Sequence, residues 1–189
     1  DVSGINFTNG YIGISQDTVF GPIRIGNAAG ETTQGINSVA MGNAAGQTDQ
    51  GTGSVAIGQN AGQTSQGDYS VALGINAGNS SQGINSVAMG NAAGQNTQGE
   101  YSVAIGSGAG NTEQSGNSVA IGFQAGNQTQ GDSSVAIGFS AGSNNQGSES
   151  VAIGFSAGVS GQGEHSVAIG YNTVCTDSSS VALGSGATT

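Results

Sequence analysis

The chain has 189 residues, of which 37 are glycine and none is tryptophan, and its 11 acidic residues against one basic residue give a net charge of −10. The single basic side chain, Arg24, does not neutralise a run of phosphates, which excludes nucleic-acid binding and a basic membrane-binding surface. One histidine and one cysteine leave little for acid–base or nucleophilic catalysis, so we expect neither an enzyme nor a cofactor. No apolar run reaches the roughly 18 residues that cross a bilayer, so this segment is not expected to insert into a membrane.

The N-terminal segment 1–21 differs from the rest of the chain. Its apolar residues fall in short alternating pairs, Ile5 with Phe7 and Ile12 with Ile14, which predicts irregular strands. A stack of strands needs a cover over its first edge. We therefore expect residues 1–21 to form an N-terminal cap and residues 22–189 to form a repeat domain.

A 16-residue repeat fills that second part. The sequence Ser-Val-Ala, then Ile, Met or Leu, then Gly begins at Ser38, returns at Ser54 and with the same step as far as Ser166, and has a last copy at Ser180 after a shorter step. Positions are counted below from this serine as position 1. Its period-two alternation predicts a short strand, and the frequent glycines disfavour a helix. The glycine columns, which pass through Gly42, Gly46 and Gly51, fit tight corners with positive φ. Each unit is therefore expected to form one coil of an all-β, parallel β-solenoid.

Side chains alternate along a strand, so Val and Ile point one way while Ser and Ala point the other. Two arrangements follow. Either Val and Ile fill the interior of the solenoid, or they form a long apolar stripe on its surface. An exposed stripe needs a cover, and a small Ser/Ala surface would allow another chain to approach closely. Both arrangements predict a rotationally symmetric homo-oligomer.

Glutamine recurs at position 13 in nine consecutive units. Stacked coils place equivalent residues about 4.8 Å apart, so this column predicts a structural ladder of side-chain amides that pair with the rungs above and below. We expect a structural role for it rather than ligand binding. The column consists of Gln34, Gln50, Gln66, Gln82, Gln98, Gln114, Gln130, Gln146 and Gln162.

Position 6 changes character along the chain. It is polar in most early coils, with Ile75 as the exception, and aromatic in four consecutive later ones, Phe123, Phe139, Phe155 and Tyr171. Four rings in register predict a stripe about 15 Å long. Such a stripe suits either a subunit interface or a binding surface for a sugar, a collagen-like chain or another apolar partner.

The remaining chemically reactive residues indicate no catalytic or metal site. Acids at position 15 occupy every second coil, as at Asp68 and Glu100, which predicts solvated edge charges rather than catalytic pairs. His165 follows Glu164 directly, and neighbouring strand residues face opposite sides, so no acid–base pair is expected. Cys175 has no cysteine partner in the chain and is predicted to be a small core residue. No calcium-loop spacing occurs.

The recurring Ser-Val-Ala-Ile-Gly motif, for example Ser54–Gly58 and Ser118–Gly122, resembles the head repeats of trimeric autotransporter adhesins of the YadA type. The resemblance covers residues 22–189. It implies a left-handed parallel β-roll, assembled side by side as a homotrimer and displayed on the bacterial outer membrane. The family's usual step is the shorter one, which this chain shows only between Ser166 and Ser180.

The resemblance implies a non-catalytic adhesin head that attaches to extracellular matrix or to receptors on other cells. The 16-residue unit also resembles repeats in fibre proteins of bacteriophages and large viruses, so a fibre segment is the alternative. Ice binding is a remote alternative, because the threonine column through Thr32, Thr48, Thr64 and Thr112 is interrupted by other residues.

Overall fold

The computed structural model describes residues 21–189, which wind into a parallel β-solenoid of about ten coils. Each regular coil contributes two three-residue strands, one to each of two sheets. Sheet 1 has eleven strands: Ile23–Ile25, Val39–Met41, Val55–Ile57, Val71–Leu73, Val87–Met89, Val103–Ile105, Val119–Ile121, Val135–Ile137, Val151–Ile153, Val167–Ile169 and Val181–Leu183. Sheet 2 has eight: Thr32–Gln34, Thr48–Gln50, Thr64–Gln66, Ser80–Gln82, Asn96–Gln98, Thr112–Gln114, Gln128–Gln130 and Asn144–Gln146. The prediction of a parallel β-solenoid is confirmed.

The strand register follows the sequence period. Val39 pairs with Val55 and Gln50 pairs with Gln66, so each residue lies beside its equivalent in the next repeat. The last pair of strands is offset by the shorter step, since Val167 pairs with Val181. Because the register equals the repeat, every sequence column becomes a straight row of side chains along the solenoid.

The interior of the solenoid is lined with small side chains. Ala120 and Ala136 of sheet 1 are fully buried, whereas Val135 and Ile137 on the same strand as Ala136 lie on the outer face. Ser134 is also fully buried and donates its hydroxyl to the Gly131 carbonyl oxygen at 2.6 Å. Of the two arrangements left open by the sequence, the structure has the one with Val and Ile outside.

The glutamine column crosses this interior. In the coil that begins at Ser38, Gln50 Nε2 donates to the Val39 carbonyl oxygen at 2.9 Å, which joins sheet 2 to sheet 1. The same cross-bond recurs in every coil from Gln34 to Gln162. Bonds between successive rungs occur from Gln50 to Gln66 and from Gln66 to Gln82, each at 3.2 Å. The amides therefore bond chiefly across the coil rather than along the ladder.

Two of the three glycine columns have the positive φ expected of them, as at Gly42 (φ 134°) and Gly46 (φ 50°). Gly51 does not, and the prediction for the third column was wrong. Glycine is needed there because the next coil comes very close: a Cβ on Gly51 would lie 2.6 Å from its backbone atoms. Non-glycine residues such as Asn60, Ser65 and Tyr69 also adopt positive φ, at three other places in the coil.

The shortened coil near the C-terminal end keeps the same interior with different residues. The Thr173 carbonyl oxygen accepts a hydrogen bond from the Gly158 N–H, and in the regular coils an alanine carbonyl oxygen takes this place. The Thr173 side chain is fully buried. Cys175, 1 % exposed, occupies the place of the glutamine. It is a small buried residue in the core.

The predicted N-terminal cap, apart from residue 21, lies outside the described residues. Among residues 21–189 there is no helix long and apolar enough to cross a membrane.

Candidate interaction surface

The outer face of sheet 1 carries a continuous aliphatic stripe, which we define as the position 2 and position 4 side chains from Val39 to Leu183. Most of the valines are partly exposed, and at position 4 Met41, Met89 and Ile105 are 36–37 % exposed. The stripe lies outside because the narrow interior accepts only Ala and Ser from this sheet. Such a length of exposed apolar surface is typical of an interface.

The four aromatic residues of position 6 form one column of parallel rings, which we call the aromatic stack. Phe123 and Phe139 have ring centroids 5.1 Å apart, Phe139 and Phe155 4.9 Å, and Phe155 and Tyr171 5.3 Å, with interplanar angles between 5° and 19°. Each residue is still about half exposed. The stacking follows from the register, because parallel coils repeat at a distance close to the spacing of stacked rings.

The stack presents ring edges to its surroundings. Both faces of Phe139 and of Phe155 are covered by neighbouring rings, so only the outer faces of Phe123 and Tyr171 lack a stacked aromatic partner. In residues 21–189 the corner formed by positions 5–9 carries no charged side chain. In these coils the aromatic stack therefore offers a partner the apolar edges of its rings and no charged group.

The outer face of sheet 2 is polar. The middle residue of each strand has positive φ, as at Asp49, so Thr48 and Asp49 both lie toward the solvent while Gln50 is buried. Side-chain amides form part of a second ladder on this face: Gln63 Nε2 donates to Gln47 Oε1 and Asn79 Nδ2 to Gln63 Oε1, each at 3.0 Å. The threonine column that prompted the ice-binding alternative lies here and stays interrupted.

The corner at positions 14–16 carries most of the acids. Asp68 accepts a hydrogen bond from the Thr52 backbone N–H at 2.7 Å, and Asp132 accepts one from the Gly116 N–H at 3.1 Å. These carboxylates thus tie one coil to the coil before it. Tyr69, beside Asp68, is 62 % exposed.

His165 lies at the same corner, where its Nε2 is 3.5 Å from Glu149 Oε2 of the preceding coil. The sequence drew attention to Glu164, its chain neighbour, and missed Glu149. The sequence did contain a signal for this contact, because His165 and Glu149 occupy position 16 in adjacent coils and the register places equivalent positions side by side. Both side chains are exposed, so the contact is a surface pair rather than a catalytic one.

Cys175 is the buried nucleophile of the described chain. Burial opposes ionisation of its thiol, but hydrogen bonds with Ser180, Thr189 and Ser166 and with the Val167 backbone outweigh that effect and lower its pKa. The Sγ atom lies 2.9 Å from Ser180 Oγ and 3.2 Å from Thr189 Oγ1. No base lies among these partners, so the geometry supports packing rather than catalysis. Within residues 21–189, no three His, Cys, Asp or Glu side chains cluster as metal ligands would.

A comparison of the sequence with protein-family models gives a match. The family model described as the YadA head domain repeat, two copies to a model, matches residues 50–77, 81–109, 115–141, 130–157, 146–173 and 162–187. These segments together span about two thirds of the chain. A search of curated proteins found no match.

Proposed function

Because this chain belongs to the YadA head domain repeat family, we propose that it is the non-catalytic head segment of a surface-displayed adhesin. In this proposal three copies assemble side by side, and the trimer attaches to extracellular matrix or to receptors on other cells. The family match carries the proposal, since YadA-type heads are adhesin segments that form trimers. The left-handed winding of the roll belongs to the same proposal.

The aliphatic stripe supports the trimer. It runs the length of sheet 1, with residues such as Met41 more than one third exposed in the single chain. Burial of apolar surface stabilises an association by about 25 cal/mol per Å², so a row of this length favours assembly strongly. Cyclic symmetry places the same stripe of each copy around one axis.

The outward polar faces support attachment. Each coil presents nearly the same set of Thr, Ser, Asn and Gln side chains, so a weak contact made by one coil is repeated along the rod and in each subunit. Repetition of weak sites raises the overall affinity through effective concentration. The chain's net charge of −10, roughly tripled in a trimer, favours basic or neutral partners over acidic ones.

The native mass of the chain in solution tests the assembly. Sedimentation should give a species of about three times the chain mass. A variant with Ile105→Thr, Ile121→Thr and Ile137→Thr should shift toward the monomer, because its stripe is interrupted. A matched control with Asn96→Thr, Gln128→Thr and Asn144→Thr on sheet 2 should keep the mass of the wild type. A monomeric wild-type chain would contradict the trimer.

Attachment is tested by binding to a panel of immobilised matrix proteins at low and at high salt. We expect binding to basic or neutral proteins that weakens as salt increases, since exposed charges are screened. Salt-insensitive binding to acidic glycans would contradict the expected partner chemistry. Absence of binding to every matrix protein and to whole cells would leave the adhesin role without support.

A stiff fibre segment is the second candidate, favoured by the 16-residue coils that depart from the family's shorter step. Such a segment has a mechanical role and carries its receptor-binding part elsewhere. It predicts the same trimer mass and resistance to proteases, but no binding to the matrix panel. The binding experiment therefore separates the two candidates.

A further inference from the structure

The aromatic stack is dispensable for forming a coil. Its column holds Asn43 and Asn91 in earlier coils with the same strand lengths and the same sheet register. Four large rings therefore occur where the solenoid itself accepts a small polar side chain. Each of these residues is about half exposed, so burial within the single chain does not account for them either.

The geometry disfavours ligands that need a ring face. Sugars and planar cations bind aromatic side chains by lying over the face, and the faces of Phe139 and Phe155 are already covered by neighbouring rings. The stack leaves a ribbon of C–H edges. No charged side chain occurs at positions 5–9 within residues 21–189, so an ionic ligand finds no counter-charge there. An apolar protein surface is the partner that fits.

The stack also continues the aliphatic stripe. In each of these coils only a glycine, such as Gly138 between Ile137 and Phe139, separates the aromatic column from the position 4 column. A glycine has no side chain that would part the two columns. Positions 2, 4 and 6 are therefore all apolar in the coils from Ser118 to Ser166, whereas in most earlier coils only positions 2 and 4 are apolar.

We propose that the aromatic stack packs against a second copy of this chain and widens the subunit interface in the C-terminal coils. This inference rests on the trimer of the proposed function. It assigns Phe123, Phe139, Phe155 and Tyr171 to the contact between neighbouring subunits rather than to a receptor. The wider surface makes these coils the part of the trimer that dissociates last.

The chain contains no tryptophan, so the fluorescence of a single introduced tryptophan reports on the contact alone. The variant Phe139→Trp should show blue-shifted emission and protection from acrylamide in the trimer, and both should disappear when the trimer dissociates. The variant Tyr69→Trp is the matched control, since Tyr69 lies at the acidic corner and is 62 % exposed. Its tryptophan should stay accessible throughout. Full quenching of the tryptophan introduced at position 139 in the intact trimer would overturn the inference.

Trimer stability gives the second test. Replacing all four aromatic residues by asparagine copies a residue that the column already contains, so the coils should fold with unchanged circular dichroism. We expect this variant to raise the trimer dissociation constant at least about tenfold. The matched control, Gln124→Asn with Ser140→Asn and Ser156→Asn, changes the adjacent column, where Asn60 and Asn172 already occur. It should dissociate like the wild type.

These outcomes separate the two proposals. A monomeric wild type removes the trimer and the inference together. A stable wild-type trimer whose dissociation is unchanged by the four asparagines overturns the inference alone. Loss of matrix binding in that variant, with the trimer intact, would assign the stack to a receptor and also overturn the inference.

Discussion

Gln130 spans the interior of the solenoid and donates its side-chain amide to the Val119 carbonyl oxygen at 2.8 Å. The two residues lie on different sheets of one coil, at positions 13 and 2. With alanine and serine as the other interior residues, this bond is the main polar link between the sheets. A buried amide that loses its partner is costly, so the column fixes the distance between the sheets.

Replacing Gln130 by leucine should therefore destabilise the fold. The branched side chain keeps a similar volume but leaves the Val119 carbonyl without this donor, and we expect a loss of about 1–3 kcal/mol in the free energy of unfolding. Denaturant titration followed by circular dichroism measures it. Gln128→Leu is the matched control, because Gln128 is exposed on the same strand. Equal effects of the two changes would contradict the cross-bond.

The interior should reject larger side chains. Ala136 is fully buried between the sheets, so Ala136→Leu adds volume where none is free and should cost about 1–3 kcal/mol or more. Ile137→Leu, on the outer face of the same strand, conserves volume and should change the unfolding free energy much less. Denaturant titration of both variants gives the comparison. If Ala136→Leu left the unfolding free energy unchanged, the interior would be wider than the structure shows.

The sequence predicts the coil and its register because the repeat is nearly perfect. The 16-residue step, with Val and Ile alternating with Ser and Ala, defines the strands of sheet 1 and places equivalent residues side by side. The row of Phe123, Phe139, Phe155 and Tyr171 follows from that register alone. Alternation also shows that two faces differ, but not which face is inside. The interior side is decided by the narrow gap between the sheets, which is a property of the whole coil.

The positive φ in the middle of the sheet 2 strands could not be predicted from residue type. Ser65 and Thr97 adopt this conformation there, and neither serine nor threonine favours it. The conformation breaks the simple alternation of side chains, so Thr48 and Asp49 both face outward. The residues on either side, such as Thr48 and Gln50, pair with the neighbouring coil while the middle residue does not, and a local sequence window does not contain that coil.

Cys175 should titrate below an ordinary thiol. Burial raises its pKa, but the hydrogen bonds from Ser180 and the other partners lower it by more. Because the pKa of the thiol is lower in the folded state, the thiolate stabilises the fold at pH values above the pKa that the thiol has in the unfolded chain. This contribution is lost as the pH falls through the pKa of the folded state. Ser180→Ala should raise the pKa of Cys175, as measured by the ultraviolet absorbance of the thiolate against pH. Ser178→Ala, at an exposed neighbour, should leave the titration unchanged.

Replacement by alanine should change the free energy of unfolding by different amounts at two glycines. Gly138 has φ 128°, and a Cβ there would lie 2.5 Å from the Gly154 carbonyl oxygen of the next coil. Neither backbone can move without breaking the sheet, so Gly138→Ala should cost roughly 3 kcal/mol or more. A Cβ on Gly116 would have its nearest neighbour at 3.5 Å, an ordinary contact. Gly116→Ala should leave the unfolding free energy within about 0.5 kcal/mol of the wild type.

Denaturant titrations of the two variants, run side by side, measure this difference. The contrast depends on the coil-to-coil contact, since both changes add one methyl group to a glycine-rich chain. Equal costs would mean that the close approach of the next coil does not determine the effect, since the backbone entropy of the unfolded chain by itself favours alanine over glycine. A large cost at Gly138 alone shows that the carbonyl of the next coil excludes any side chain there, and that this glycine sets how closely the coils stack.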